Sequence, residues 1–264
     1  MFQSKFAASM AIGAATFLIG MSASAHEFIA SHTPANAKPG ENATLVLDST
    51  HQFGLPEEAE GVNDVRATLI ATDTTKELAI SVNEDAPNLI GSFEIPKAAS
   101  WIAAHRLGVV WSQTPDGWQA GGTDEHPDAI ASTRYEKFAK LLVGGESTSD
   151  FVTKPIGDML EIVPLSDPRD TKVGEDAEFQ VLLNGHPLTT SVLATYGGFT
   201  ETPSSWAYAT ETLNTEDGSG SGIAKIRVSA PGLWIVRVAA DMPDAEEGVG
   251  NHNLRATLSF AVEE

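Results

Sequence analysis

The chain has 264 residues, no cysteine, and 36 acidic against 16 basic side chains, for a formal charge of −20. That balance excludes nucleic-acid binding by phosphate neutralisation, opposes anionic lipid surfaces and draws cations. Without thiolates, zinc-finger, iron–sulfur and cysteine-nucleophile chemistries are excluded, and any metal site must use imidazole, carboxylate, amine or backbone groups.

Residues 1–25 read as a signal peptide. Lys5 supplies a positive start, Ala7 to Met21 is apolar or small and too short to span a bilayer, and Ala23-Ser-Ala25 fits a signal-peptidase site. The expected product is a soluble periplasmic protein beginning at His26, with no membrane insertion after cleavage. Cleavage there leaves a free α-amine and an imidazole on one residue, a pair that chelates transition metals.

Pro34 to Gly40 carries turn signals, and Ala43 to Thr50 reads as a strand. A hairpin turning near Lys38-Pro39 pairs residues whose numbers sum to about 77, which sets His26 opposite His51. His32 shares a face with His26 but lies ~20 Å away along a strand, so it is expected to be exposed. Val65 to Ala71, Glu77 to Val82, Ser92 to Ile95 and Arg106 to Trp111 are further strand candidates, with a helical turn over Trp101 to His105. Ser112 to Asp128 reads as a long functional loop. Ala131, Tyr135, Phe138, Leu141 and Leu142 recur at helical spacing and predict a helix over 129–142. Glu146 to Thr153 reads as a linker.

In the second half, Met159 to Leu165, Glu178 to Leu183, Ser191 to Tyr196, Ala207 to Leu213, Ile223 to Val228, Trp234 to Ala239 and Leu254 to Val262 read as strands. Asn184-Gly185 marks a hairpin, and Asn214 to Gly222 a flexible turn. The expected fold is therefore all-β: a signal peptide over 1–25, a β-sandwich with one helix over 26–150, and an immunoglobulin-like β-sandwich over 151–264.

Several phrases together carry a family likeness: the Ala-His-Glu-Phe start at 25–28, Thr114-Pro-Asp-Gly-Trp118, Arg134-Tyr-Glu-Lys-Phe-Ala-Lys140, Pro155-Ile-Gly-Asp-Met-Leu-Glu-Ile-Val-Pro164, Val181-Leu-Leu-Asn-Gly-His-Pro-Leu188, Ala230-Pro-Gly-Leu-Trp-Ile-Val236 and Ala256-Thr-Leu-Ser-Phe-Ala-Val262. In this order they resemble an exported bacterial family of unknown function associated with nickel or cobalt uptake in the periplasm. The resemblance covers most of the chain after residue 25. It implies an all-β periplasmic protein linked to divalent metal transport, with no catalysis assigned.

Four histidines are the candidate metal ligands. His26 offers amine and imidazole nitrogens, which suit nickel and copper, and His51 faces it. His126, in Asp124-Glu-His-Pro-Asp128, or His252, in Gly250-Asn-His-Asn253, would supply the remainder. His105 follows an apolar run and is expected to be packed, and His186 sits at a hairpin tip. No nucleophile elbow, phosphate loop or zincin motif is present, so no catalytic residue is assigned and the protein is expected not to be an enzyme. The function expected is periplasmic binding of a divalent transition metal, nickel or cobalt first and copper possible, for an inner-membrane metal transporter. The alternatives are a carbohydrate-binding or adhesive module carried by Trp118 and the tyrosines, or a copper protein with an N-terminal histidine brace.

Overall fold

The computed structural model describes residues 26–145, 149–213 and 220–263. The expected signal peptide, part of the expected linker and most of the turn after Asn214 lie outside these residues. The chain is all-β, with seventeen strands, two short 3-10 turns and one helix of four residues among the described residues. No helix among them is long and apolar enough to cross a membrane.

Three sheets make up the fold. The central one has nine strands. In spatial order they are β14 (Tyr208–Glu211), β13 (Ser191–Tyr196), β16 (Gly232–Met242), β17 (Asn251–Val262), β9 (Ala131–Val143), β7 (Ser100–Thr114), β3 (Val65–Ala71) and β4 (Thr74–Leu78), with β8 (Gly117–Ala120) added on β7. One outer sheet is β1 (Glu27–Thr33), β2 (Asn42–Thr50), β6 (Leu89–Glu94) and β5 (Ile80–Val82). The other is β10 (Leu160–Pro164), β11 (Asp176–Leu183), β12 (His186–Pro187) and β15 (Ile223–Arg227). Residues 26–150 and 151–264 thus contribute one outer sheet each and share the central sheet. All pairs inside it are antiparallel except β17 on β9, the parallel seam between the halves.

Side-chain alternation explains the two cores. On β9, Ala139, Leu141 and Val143 point toward the β1–β2–β6 sheet, where Phe28, Leu45, Leu47 and Leu89 meet them. Phe138 and Leu142 point the other way, with Trp101, toward Leu160, Ile162, Phe179 and Ile226. The strand is covered on both faces, which is why its sequence misleads. A strand buried on both sides loses the apolar–polar alternation that marks a half-exposed one, and its apolar run reads equally well as a buried helix. The helix expected over 129–142 is therefore β9. The helical turn expected over Trp101 to His105 is part of β7, and the single α-helix among the described residues is Ser149–Val152. The loop expected over Ser112 to Asp128 is in part a tight hairpin, because β7 runs to Thr114 and returns as β8 through Gly117 at φ 116°. The Asn184-Gly185 hairpin stands as expected, with both residues at positive φ, 51° and 75°, the mark of a type I′ turn.

The β7–β9 pairing carries one irregularity. Between Arg106 and Val109 the β7–β9 register shifts by one residue. Such a bulge reverses which side chains share a face. Arg106 before it, and Val109 and Trp111 after it, therefore all project on the side where Tyr135 and Lys137 of β9 project.

A candidate metal centre at the start of the first strand

The β1–β2 pairing runs Glu27 with Thr50 through Thr33 with Thr44. Every pair sums to 77, and the register carries one step further to His26 and His51. Their ring centroids are 4.2 Å apart, tilted by 51°. Register fixes this meeting because a slip of one residue would turn the buried Phe28 and Ala30 out of the core.

The third member comes from the loop after β2. Glu57 donates its N–H to the Ser49 carbonyl at 3.0 Å, which folds the loop back over the end of the strand. The Glu57 carboxylate then accepts from the His51 backbone N–H at 2.8 Å through Oε1. Its Oε2 lies 2.8 Å from His51 Nδ1 and 3.1 Å from His26 Nε2. Glu58 Oε1 lies 2.8 Å from His26 Nδ1. Among the described residues, His26, His51 and Glu57 form the one group whose potential ligand atoms all lie within 4.8 Å of each other. Burial works to raise the Glu57 carboxyl, but the side-chain and backbone hydrogen bonds from His51, with the His51 charge and His26, outweigh it and hold it at about 2. The carboxylate is thus ionised over the whole physiological range.

The position of His26 is secured from behind. Its neighbour Glu27 is buried, and Glu27 Oε1 meets Arg255 Nη1 at 2.6 Å and Arg237 Nε at 3.0 Å. Thr257 Oγ1 donates to the Phe28 carbonyl at 2.6 Å. The start of β1 is therefore pinned to β16 and β17, in the other half of the chain. From the same half, Ser204 donates its N–H to the His51 carbonyl at 2.7 Å.

Of the four histidines expected as ligands, two come together. His126 lies in the turn after β8, where its Nε2–H donates to the Ala120 carbonyl at 2.7 Å. His252 lies on β17, with Nε2 on Glu136 Oε2 at 2.8 Å. His105, on β7, shares the same carboxylate through Oε1 at 2.6 Å and stacks on Phe138 at 4.7 Å, packed as expected. His32 is half-buried rather than exposed, 3.1 Å from the Pro34 carbonyl, because the loop over 34–39 folds against it. Glu57 was not among the expected ligands. It follows Gly54 and Pro56, in irregular chain where no periodicity places a side chain. Its one sequence signal is an acid pair directly after a turn that follows a candidate ligand histidine.

Beside His26 opens a cavity of about 400 Å³. The bulge in β7 and the alternation of β9 send Arg106, Trp111, Tyr135 and Lys137 into it, and Trp118 of β8 closes one side. The Trp118 and Tyr135 rings meet edge to face at 6.5 Å. The floor is an ion triad: Glu60 takes Lys137 Nζ at 2.6 Å and Arg106 Nε at 3.0 Å. Burial opposes ionisation of Glu60, but the charges of Lys137 and Arg106 bring its carboxyl down to about 2.

Fold and site together define an all-β protein of two sandwiches sharing one sheet, with an imidazole–carboxylate cluster where its first strand begins. The chain belongs to the DUF4198 family, a domain of unknown function, whose profile matches residues 23–241. No curated protein matches it. A crystal structure of a DUF3823 family protein from Bacteroides uniformis aligns with 90% of this chain and 100% of its own at 11% identity, but with a TM-score of 0.26.

Proposed function

We propose that the processed chain is a periplasmic protein that binds one divalent transition-metal ion, nickel or cobalt, and presents it to an uptake system in the inner membrane. The observation that carries this reading is the convergence of His26, His51 and Glu57 within 4.8 Å. It occurs at the residue where signal cleavage would release an α-amine. Two imidazoles, a carboxylate and that amine make a nitrogen-rich, borderline donor set, which suits nickel, cobalt and copper over calcium or magnesium. The acidic surface raises the local concentration of cations without selecting among them. No catalytic role is proposed.

Metal titration of the processed protein, its N-terminus verified by mass, tests this. We expect one ion per chain, bound tighter than about 1 μM, with affinity falling in acid because the ligands must be deprotonated. Failure to bind nickel, cobalt or copper at that level, or unchanged affinity in His51→Ala, overturns it. Copper fits the same donors as an N-terminal histidine brace. Turnover by the copper-loaded protein with added reductant would mark an enzyme in place of a carrier.

A further inference from the structure

The cavity beside His26 has a floor that metal binding does not use. We propose that it is a binding site for a small planar organic carboxylate, the carboxylate seated on Arg106 and the ring against Trp118, Trp111 and Tyr135.

Arg106 is only 7% exposed. Its Nε serves Glu60, and its Nη1 donates to the carbonyls of Tyr135 at 2.5 Å and Leu107 at 3.4 Å. Its Nη2 donates to no described residue, although the side chain lines the cavity. Lys137, 3% exposed, spends its ammonium on Glu60 and, at 3.3 Å, on Ser49 Oγ. Two cations thus share one carboxylate at the floor, and the carboxylates that balance them, Glu58 and Asp64, line the cavity from exposed positions. Arg106 Nη2 is not among the buried polar atoms without a partner, so this edge is open to the cavity, and a guanidinium edge matches a carboxylate in shape and charge.

The walls add a second constraint. Three aromatic side chains face the cavity, and Trp118 is 38% exposed at its mouth. Ring surfaces of this kind favour a flat apolar body in offset or edge-on contact. The volume accommodates a small ring compound. Glu58 and Asp64 at the rim repel further negative charge, so a single carboxylate is admitted and a polyanion is not. His26 also lines the cavity. A carboxylate whose ring carries a donor atom would therefore reach a metal held by His26, His51 and Glu57 and enter as part of a chelate. That extension rests on the metal reading above; the carboxylate site itself does not.

Calorimetric titration separates the two. Benzoate and pyridine-2-carboxylate should bind the metal-free processed protein with Kd below about 100 μM, and benzamide and an uncharged monosaccharide at least about tenfold more weakly. Trp118→Ala, at a half-exposed position of a short strand, should weaken benzoate at least about tenfold. Arg106→Gln should abolish binding, with its circular dichroism checked against wild type. His51→Ala, which lies outside the cavity, should leave benzoate affinity unchanged while metal binding is lost, so a failed metal site does not mask a working carboxylate site. Pyridine-2-carboxylate, but not benzoate, should tighten when metal is present. Equal binding of benzoate and benzamide, or of wild type and Trp118→Ala, overturns the carboxylate site. No tightening in metal-loaded protein overturns the chelate extension.

Discussion

Two places in this molecule set two histidines around one glutamate. At the start of β1, a single oxygen of Glu57 faces both His26 and His51, and the two rings nearly touch. In the central sheet, Glu136 of β9 gives one oxygen to His105 of β7 and the other to His252 of β17. The first arrangement gathers donor atoms toward one point at a half-exposed edge. The second spreads them across three neighbouring strands, where each imidazole has its own partner and the carboxylate ties the seam between the halves. The same residue types therefore have opposite consequences. Convergence leaves a place for an ion, whereas separation satisfies the polar groups that the sheet buries. His252, a ligand candidate by composition, belongs to the second kind.

Mutations should break this contrast in opposite directions, and the largest effect lies on the interior side. Lys140 and Glu161 are buried beside that array, paired at 2.7 Å, with Glu161 also accepting the N–H groups of Ile156 and Gly157. Lys140→Met strands the carboxylate and should cost about 3–5 kcal/mol in denaturant unfolding, with metal affinity of the surviving folded protein unchanged. On the rim side, His51→Ala should lower metal affinity by about 100-fold, equivalent to about 2.7 kcal/mol, and Glu57→Gln by about tenfold or more. Both should move unfolding stability by less than about 1 kcal/mol, because these ion pairs are partly solvated. Competition against a chromophoric chelator reads the affinities. Glu136→Gln inverts that result: a loss of about 1–3 kcal/mol in stability, with metal affinity within about twofold of wild type.

The smallest effect is a matter of pH. Burial, opposed by Lys140 and reinforced by Glu161, pushes the Asp158 carboxyl up to about 6; His105 lowers it and Glu136 raises it in lesser degree. The folded state then holds this proton more tightly than the unfolded chain. Stability tied to Asp158 is complete below its ordinary carboxylate range and declines as pH rises through about 6. Glu136 works the other way. Burial opposes its ionisation, but His105 and His252 hold its carboxyl below the ordinary value, so its contribution is present at neutral pH and lost as the solution turns acid. Asp158→Asn should therefore stabilise the protein by about 1–2 kcal/mol at pH 7 and by nothing measurable near pH 4. Thermal unfolding at the two pH values checks this, and an equal gain at both would place the effect in packing.

The rim cluster was half legible in the sequence. Strand alternation plus a proline-marked turn fixed the pairing of His26 with His51, because register is a counting problem once one face must be buried. Glu57 escaped because an irregular loop obeys no such count. Most strands of both halves were legible as well. The failure at β9 was physical: a central strand covered on both faces shows Phe138, Leu141 and Leu142 where a helix would, and it hides Lys137 and Lys140 inside ion pairs. The cavity was invisible for a related reason. A one-residue bulge at Leu107-Gly108 brings Arg106, Val109 and Trp111 to one side, and nothing in simple alternation announces it.

The clamp on Glu27 has a consequence in time. Arg237 and Arg255 belong to the two strands that close the chain, and a polypeptide made from its beginning acquires these last. The opening residues wait for the closing ones, so a chain that stops before β17 would lack Arg255 and Thr257 and hold Glu27 by Arg237 alone. The geometry around His26 thus reports that both of these strands are in place.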